Sequence, residues 1–144
     1  MSDVSITAAS VLKGANAKTR KGRAGATITA GQVVYEDSSD SFDFKLADAN
    51  ASAATANPVG IALHGASDGQ PLEIVTEDDD FTPGGTLSIS AAADDGIYIL
   101  SGTAGGIAPV ADIVAGWYPV ILGVAKSASK MNLKIVRGTA AITA

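Results

Sequence analysis

Chemistry has little to work with in this chain: one histidine, fifteen acids, ten bases and no cysteine among 144 residues. Without thiols, disulfides, thiolate metal sites and cysteine nucleophiles are excluded. A hydroxyl nucleophile would need His64 as its base, with Asp68 to orient it. No serine stands in a Gly-x-Ser-x-Gly turn, however, and His64 lies in the Gly-rich run His64-Gly65-Ala66-Ser67-Asp68-Gly69, so it reads as a turn residue. The acidic runs Glu77-Asp78-Asp79-Asp80 and Asp94-Asp95 fall in expected turns. Neighbours on a strand would point to opposite faces, and the calcium-loop pattern with its central Gly and terminal Glu is missing, so both runs read as solvated loop acids. Gly102-Thr103-Ala104-Gly105-Gly106 lacks the Gly-Lys-Ser/Thr ending of a phosphate loop and runs into Ile-Ala-Pro, so it too reads as a turn. The expectation is a chain that is not an enzyme and holds neither cofactor nor metal.

The bases are more informative, because they are sorted. Residues 1–23 carry Lys13, Lys18, Arg20, Lys21 and Arg23 against Asp3; residues 24–112 carry fourteen acids against Lys45; residues 113–144 carry Lys126, Lys130, Lys134 and Arg137 with no acid. A cationic arm and a cationic C-terminal hairpin thus flank an acidic body, and such sorting invites complementary contacts, between copies or with another surface. A solubilising tail is the plainer alternative for the arm. Nucleic acid fits poorly: no aromatic is interleaved with the bases, and the body would repel phosphates. Within Gly116-Trp117-Tyr118-Pro119, Trp117 and Tyr118 read as packing, with an oligomer contact as the functional alternative.

The elements that would position these groups are strands. Thirty-four Val, Ile and Thr stand against eight Leu and two Met, and 27 Ala dilute the nominal hydrophobic content of 47%; this favours an all-β domain. The start, with an early acid and no apolar run, does not read as a secretory signal, and Ile113 to Ala125 is short and broken by Gly116, Pro119 and Gly123, so no membrane span is expected and synthesis should end in the cytoplasm. Residues 1–24 show no sustained periodicity and read as an extended arm, with a reach on the order of 80 Å. Residues 25–144 read as the body: strands at Thr27–Tyr35, with a break at Ala30-Gly31, and at Phe42–Leu46, a loop over 47–57 ended by Pro58, and a hairpin of Val59–Leu63 with Leu72–Thr76. A second half echoes the first. Phe81–Gly85 repeats Ile28–Gln32, and the strands that follow are Thr86–Ile89 and Gln32–Tyr35; Gly123-Val124-Ala125 repeats Gly60-Ile61-Ala62, and Asn132–Val136 repeats Pro71–Val75. Two copies are too few for a solenoid, so a small barrel or sandwich with internal pseudo-twofold symmetry is expected.

The segments Ala24–Tyr35, Lys45–Ala49, Val59–Leu63 through Ala66–Leu72, and Tyr98 through Ala104–Pro109 resemble the capsid decoration (cement) proteins of tailed bacteriophages, and the similarity spans most of residues 24–136. The resemblance implies a small β-barrel or β-tulip domain and homotrimers on the outside of the expanded capsid, at threefold and quasi-threefold positions. It also implies an N-terminal arm that reaches onto neighbouring capsomers. The expected partner is the major capsid protein, with no direct nucleic acid and no membrane. The residues expected to touch it are Lys13, Lys18, Arg20, Lys21 and Arg23, with Val11 and Leu12 as an apolar anchor; Trp117, Tyr118, Lys126, Lys130 and Lys134 are the next candidates for capsid or oligomer contact. The competing expectations are a head fibre, a tail component or a glycan-binding adhesion module.

Overall fold

A computed structural model of the chain describes residues 3–89 and 96–138. Nine strands dominate it: β1 (Lys18–Arg23), β2 (Val33–Asp37), β3 (Asp43–Leu46), β4 (Gly60–Ala62), β5 (Pro71–Phe81), β6 (Ile97–Leu100), β7 (Ile107–Pro109), β8 (Val120–Ala125) and β9 (Met131–Arg137). Two single 3-10 turns, Ala8–Ser10 and Val110–Asp112, are the helical content. The strands form one antiparallel sheet in the order β3-β2-β4-β5-β9-β8-β6-β7, with β1 paired to β5. The sheet curls into a half-barrel, as the all-β expectation required.

Strand periodicity builds two cores. Because successive side chains alternate faces, Val34, Ala62 and Ile74 join Phe44, Ile28 and Leu72 on one side. Their chain neighbours Val33, Ile61 and Val75 join Leu100, Ile107, Leu122 and Leu133 on the other. The smaller core is closed by β1, which lies over it: a Cβ at Gly22 would stand 2.5 Å from the Phe44 ring, and Ala24 bridges to Phe44 in parallel register. Burying Phe44 contributes about 1.5–3 kcal/mol, and it requires a glycine on the strand that crosses it.

The duplication is written in the strand pairing. β2 pairs with β3 and β4, and β4 with β5; likewise β6 pairs with β7 and β8, and β8 with β9. Registers match as well. Val34 faces Gly60 and Leu46 as Tyr98 faces Gly123 and Pro109, and Ile61 faces Val75 as Val124 faces Asn132. Even the glycines correspond: a Cβ at Gly60 would strike the carbonyl oxygen of Val75, and one at Gly123 that of Asn132.

Some expected boundaries are corrected. Thr29–Gln32 is a turn, closed by the Thr29 N–H donating to Gln32 Oε1 at 2.9 Å, so β2 begins only at Val33. Thr86–Ile89 forms no strand; the counterpart of β2 is β6, and Asn132 corresponds to Val75 instead of Pro71 because the β4–β5 connection is longer than the β8–β9 one. Phe42 does not share the buried face of Phe44: it is 62% exposed, in the left-handed region at φ 61°.

The largest corrections concern the arm and the acidic run. Residues 3–23 lie along the body instead of reaching away from it. Val4 N–H donates to Ile107 O at 2.8 Å, Thr7 N–H to Gly84 O at 2.8 Å, and Leu12 exchanges backbone bonds with Thr82 at 3.0 and 2.9 Å. Val11 is buried, because the larger core offers its side chain a place that water does not. Glu77–Asp80 is no turn but the end of β5.

Candidate interaction surface

All six residues of β1 are exposed, so the cations of the arm stand on the outside of the small barrel. Three of the five are paired within the chain. Arg20 grips Glu36 through both terminal nitrogens at 3.1 and 2.8 Å, with its guanidinium 5.8 Å from the Phe44 ring centre. Arg23 donates from Nε to both oxygens of Asp43 at 3.0 and 3.1 Å, and Lys18 reaches Glu77 at 3.4 Å. Donating to the carboxylates of Glu36 and Asp43 holds both guanidiniums above their ordinary pKa. Lys13 and Lys21 are exposed and pair with no carboxylate among the described residues. Of the apolar anchor, Leu12 is 61% exposed while Val11 is committed to the core.

The C-terminal hairpin repeats this pattern. Lys126 and Lys130 converge on Asp80 at 3.4 and 3.0 Å, and the Lys130 hydrogen bond, aided by Lys126, lowers the Asp80 pKa. Lys134 stands opposite Glu77 and pairs with no carboxylate among the described residues. The acidic run of β5 is therefore where the two cationic ends meet: Glu77 takes Lys18, Asp79 accepts from Asn16 at 3.5 Å, and Asp80 takes Lys126 and Lys130. Asp78 is 1% exposed, and its carboxylate accepts the Gly14 N–H at 2.6 Å and the Asp80 N–H at 3.0 Å. Sequence reading missed this seat, although the contrast between a basic N-terminus and four consecutive acids was its visible signal.

Trp117 and Tyr118 are half-buried and pack against the larger core. The Trp117 indole lies against Gly102, and the Tyr118 N–H donates to Ala49 O at 2.8 Å, which is the packing role. His64 is a latch on the β4–β5 hairpin. Its Nε2 accepts the Glu73 N–H at 3.1 Å and its Nδ1 lies 2.9 Å from Gly65 O, so both ring nitrogens are engaged with the backbone of the hairpin. Among the described residues, no three His, Asp or Glu side chains converge on a point where a metal could be held, and no helix is long and apolar enough to cross a membrane. Asp94 and Asp95 lie outside the described residues.

The outer surface includes the cationic strip of β1 with Lys13 and Lys21, and an apolar patch on β8 and β9 where Ile121, Val124 and Val136 are 40%, 50% and 56% exposed; Leu12, Phe42, Ile89 and Val114 are exposed elsewhere. No protein-family model matches the chain, and no curated protein sequence matches it.

Proposed function

We propose that the protein is a capsid decoration protein of a tailed bacteriophage, not an enzyme, which binds the outside of the expanded shell as trimers at threefold and quasi-threefold positions. The observation that carries this reading is the resemblance of residues 24–136 to that family, on segments that the fold uses as strands and turns. The all-β body and the exposed cationic strip agree with it. Packaged DNA presses outward on the shell, and junctions between major capsid proteins are where it gives. A trimer spanning several junctions raises the cost of opening any one, and three weak contacts on one trimer hold together by effective concentration.

The arm acts here as part of the body's outer surface, with Lys13 and Lys21 as the cations free for the capsid. Labelled protein mixed with expanded, undecorated capsids of the phage that encodes it tests the proposal. Saturable binding is the expected result; binding to tails or to glycans, with none to capsids, favours the competing readings.

A further inference from the structure

The N-terminal segment lies on the body as a peptide lies in a binding groove. Four body glycines pave its path. A Cβ at Gly106 would strike the Asp3 carboxylate, one at Gly85 would stand 2.5 Å from Ser5 O, one at Gly31 2.5 Å from Ile6 Cγ2, and one at Gly84 2.7 Å from Thr7 O. Gly31 and Gly84 hold φ at 89° and 90°, and they are the matching glycines of the two sequence echoes, so each half of the chain contributes a turn to the track. At one end the buried Ser101 hydroxyl lies 2.7 and 2.8 Å from the two Asp3 oxygens; at the other Val11 is buried in the larger core. Between them the backbone bonds to the body at Val4 and Thr7, and open clefts of about 200, 210 and 270 Å³ flank the segment. These partners all belong to the body, none to the residues that join the segment to β1.

We infer that this track takes the N-terminal segment of a second copy, so that copies associate by exchanging residues 3–12. The occupant's chemistry is that of the segment already seated there: extended, with an acid at its head and Val4, Ile6 and Val11 as apolar anchors. A second copy supplies the same segment, so every contact made within one chain is made between two without loss. The connection suits exchange. Residues 13–17 form a mostly exposed turn, tied to the body by the Gly14 N–H on Asp78 at 2.6 Å and Asn16 on Asp79 at 3.5 Å, and extended they span about 16 Å. Where this turn leaves the track, Leu12 is 61% exposed, and the crossing of two chains covers it, a gain over the closed monomer. The donated segment and the accepting track are different surfaces, so the contact is heterologous and can close into a ring of three. The number three rests on the proposed function; the exchange rests on the track, and its test uses no capsid, so its failure leaves capsid binding to be judged separately.

The chain has no cysteine, so an engineered pair reports without background. Leu12 and Thr82 exchange both backbone hydrogen bonds, which sets their Cα atoms about 5.5 Å apart, within disulfide reach. The full chain carrying Leu12→Cys with Thr82→Cys is oxidised at low and at tens of micromolar concentration and run on a non-reducing gel, while sedimentation follows the parent. The expected result is a parent that associates with concentration and a double variant whose main product at tens of micromolar is a covalent trimer, which neither single variant has the thiols to form. A second readout needs no substitution: isotope-labelled and unlabelled parent chains are refolded together at tens of micromolar, and nuclear Overhauser contacts from the Ile6 methyls to Gly84 should cross between chains. A parent that stays monomeric throughout, a disulfide confined within single chains at both concentrations, or contacts from Ile6 confined to its own chain would each overturn the inference.

Discussion

Glu77 of β5 and Lys134 of β9 face each other across the sheet, and each is the other's counterpart in the internal repeat. The correspondence follows from pairing: Val75 and Asn132 occupy equivalent places opposite Ile61 and Val124, and Glu77 and Lys134 stand two residues further along the same strands. The pair thus marks the local twofold of the molecule. One member carries a negative charge and the other a positive one, so the site where the halves join has diverged into complementarity.

Divergence of the halves also explains the one strained aromatic. Phe42 corresponds to Gly105, and both are left-handed, at φ 61° and 77°. The turn geometry belongs to the repeat, but only the second unit has the residue that suits it. Replacing Gly105 by Ala should cost about 1–2 kcal/mol, while Phe42→Gly, which removes an exposed ring, should cost less or stabilise. Chemical denaturation of the two variants checks this; equal losses would contradict it.

Deleting residues 1–23 should not leave a folded body. The deletion removes Val11 from the larger core, uncovers Phe44 and strips β5 of its β1 partner. A loss of more than about 5 kcal/mol is expected, enough to unfold a domain at the lower end of ordinary stability. A truncated chain that melts at the parent temperature would show that the strap is ornamental.

The sequence made the fold class legible and the arm illegible for the same reason. Val33, Val34, Ile61, Ala62, Ile74 and Val75 state the strand period directly, and Gly60 and Gly123 mark the repeat. The composition of residues 1–23 is polar and Gly-containing, yet Val4, Ile6 and Val11 supply enough apolar contact for the segment to lie down on a body that offers β5. Lys18, Arg20 and Arg23 pair with acids distant in sequence, Glu77, Glu36 and Asp43, and such pairings depend on which strands meet. The register of β9 is not legible in the sequence echoes, because it is set by the β4–β5 connection being longer than the β8–β9 one.

Acid should weaken the β2–β3 hairpin. The hydrogen bond from Lys45, together with those from Ser39, lowers the Asp37 pKa from 3.8 to about 2. A carboxyl whose pKa is lower in the folded state stabilises fully above its unfolded value, and that stability is lost as pH falls from about 4 toward 2. Lys45→Met removes the main cause. Its melting temperature, already lower at pH 6, should fall less than the parent's between pH 4 and 2; parallel profiles would show that the pair adds nothing.

If the free cations of the arm face the capsid, Lys13→Ala with Lys21→Ala should weaken capsid binding severalfold at low salt and flatten its dependence on ionic strength. Arg20→Ala or Arg23→Ala should act mainly through stability, because each breaks a pair within the chain. Binding isotherms from low to high salt distinguish the two. Binding that ignores salt and both lysines would move the contact to another face.

Whether the protein decorates a capsid is tested most directly by a cryo-EM reconstruction of expanded capsids incubated with it, beside capsids without it. The account predicts added density on the outer surface at threefold and quasi-threefold positions, in groups of three copies that fit the β-domain, one group at each junction of major capsid proteins. Two maps that are identical outside the shell at saturating protein would contradict it.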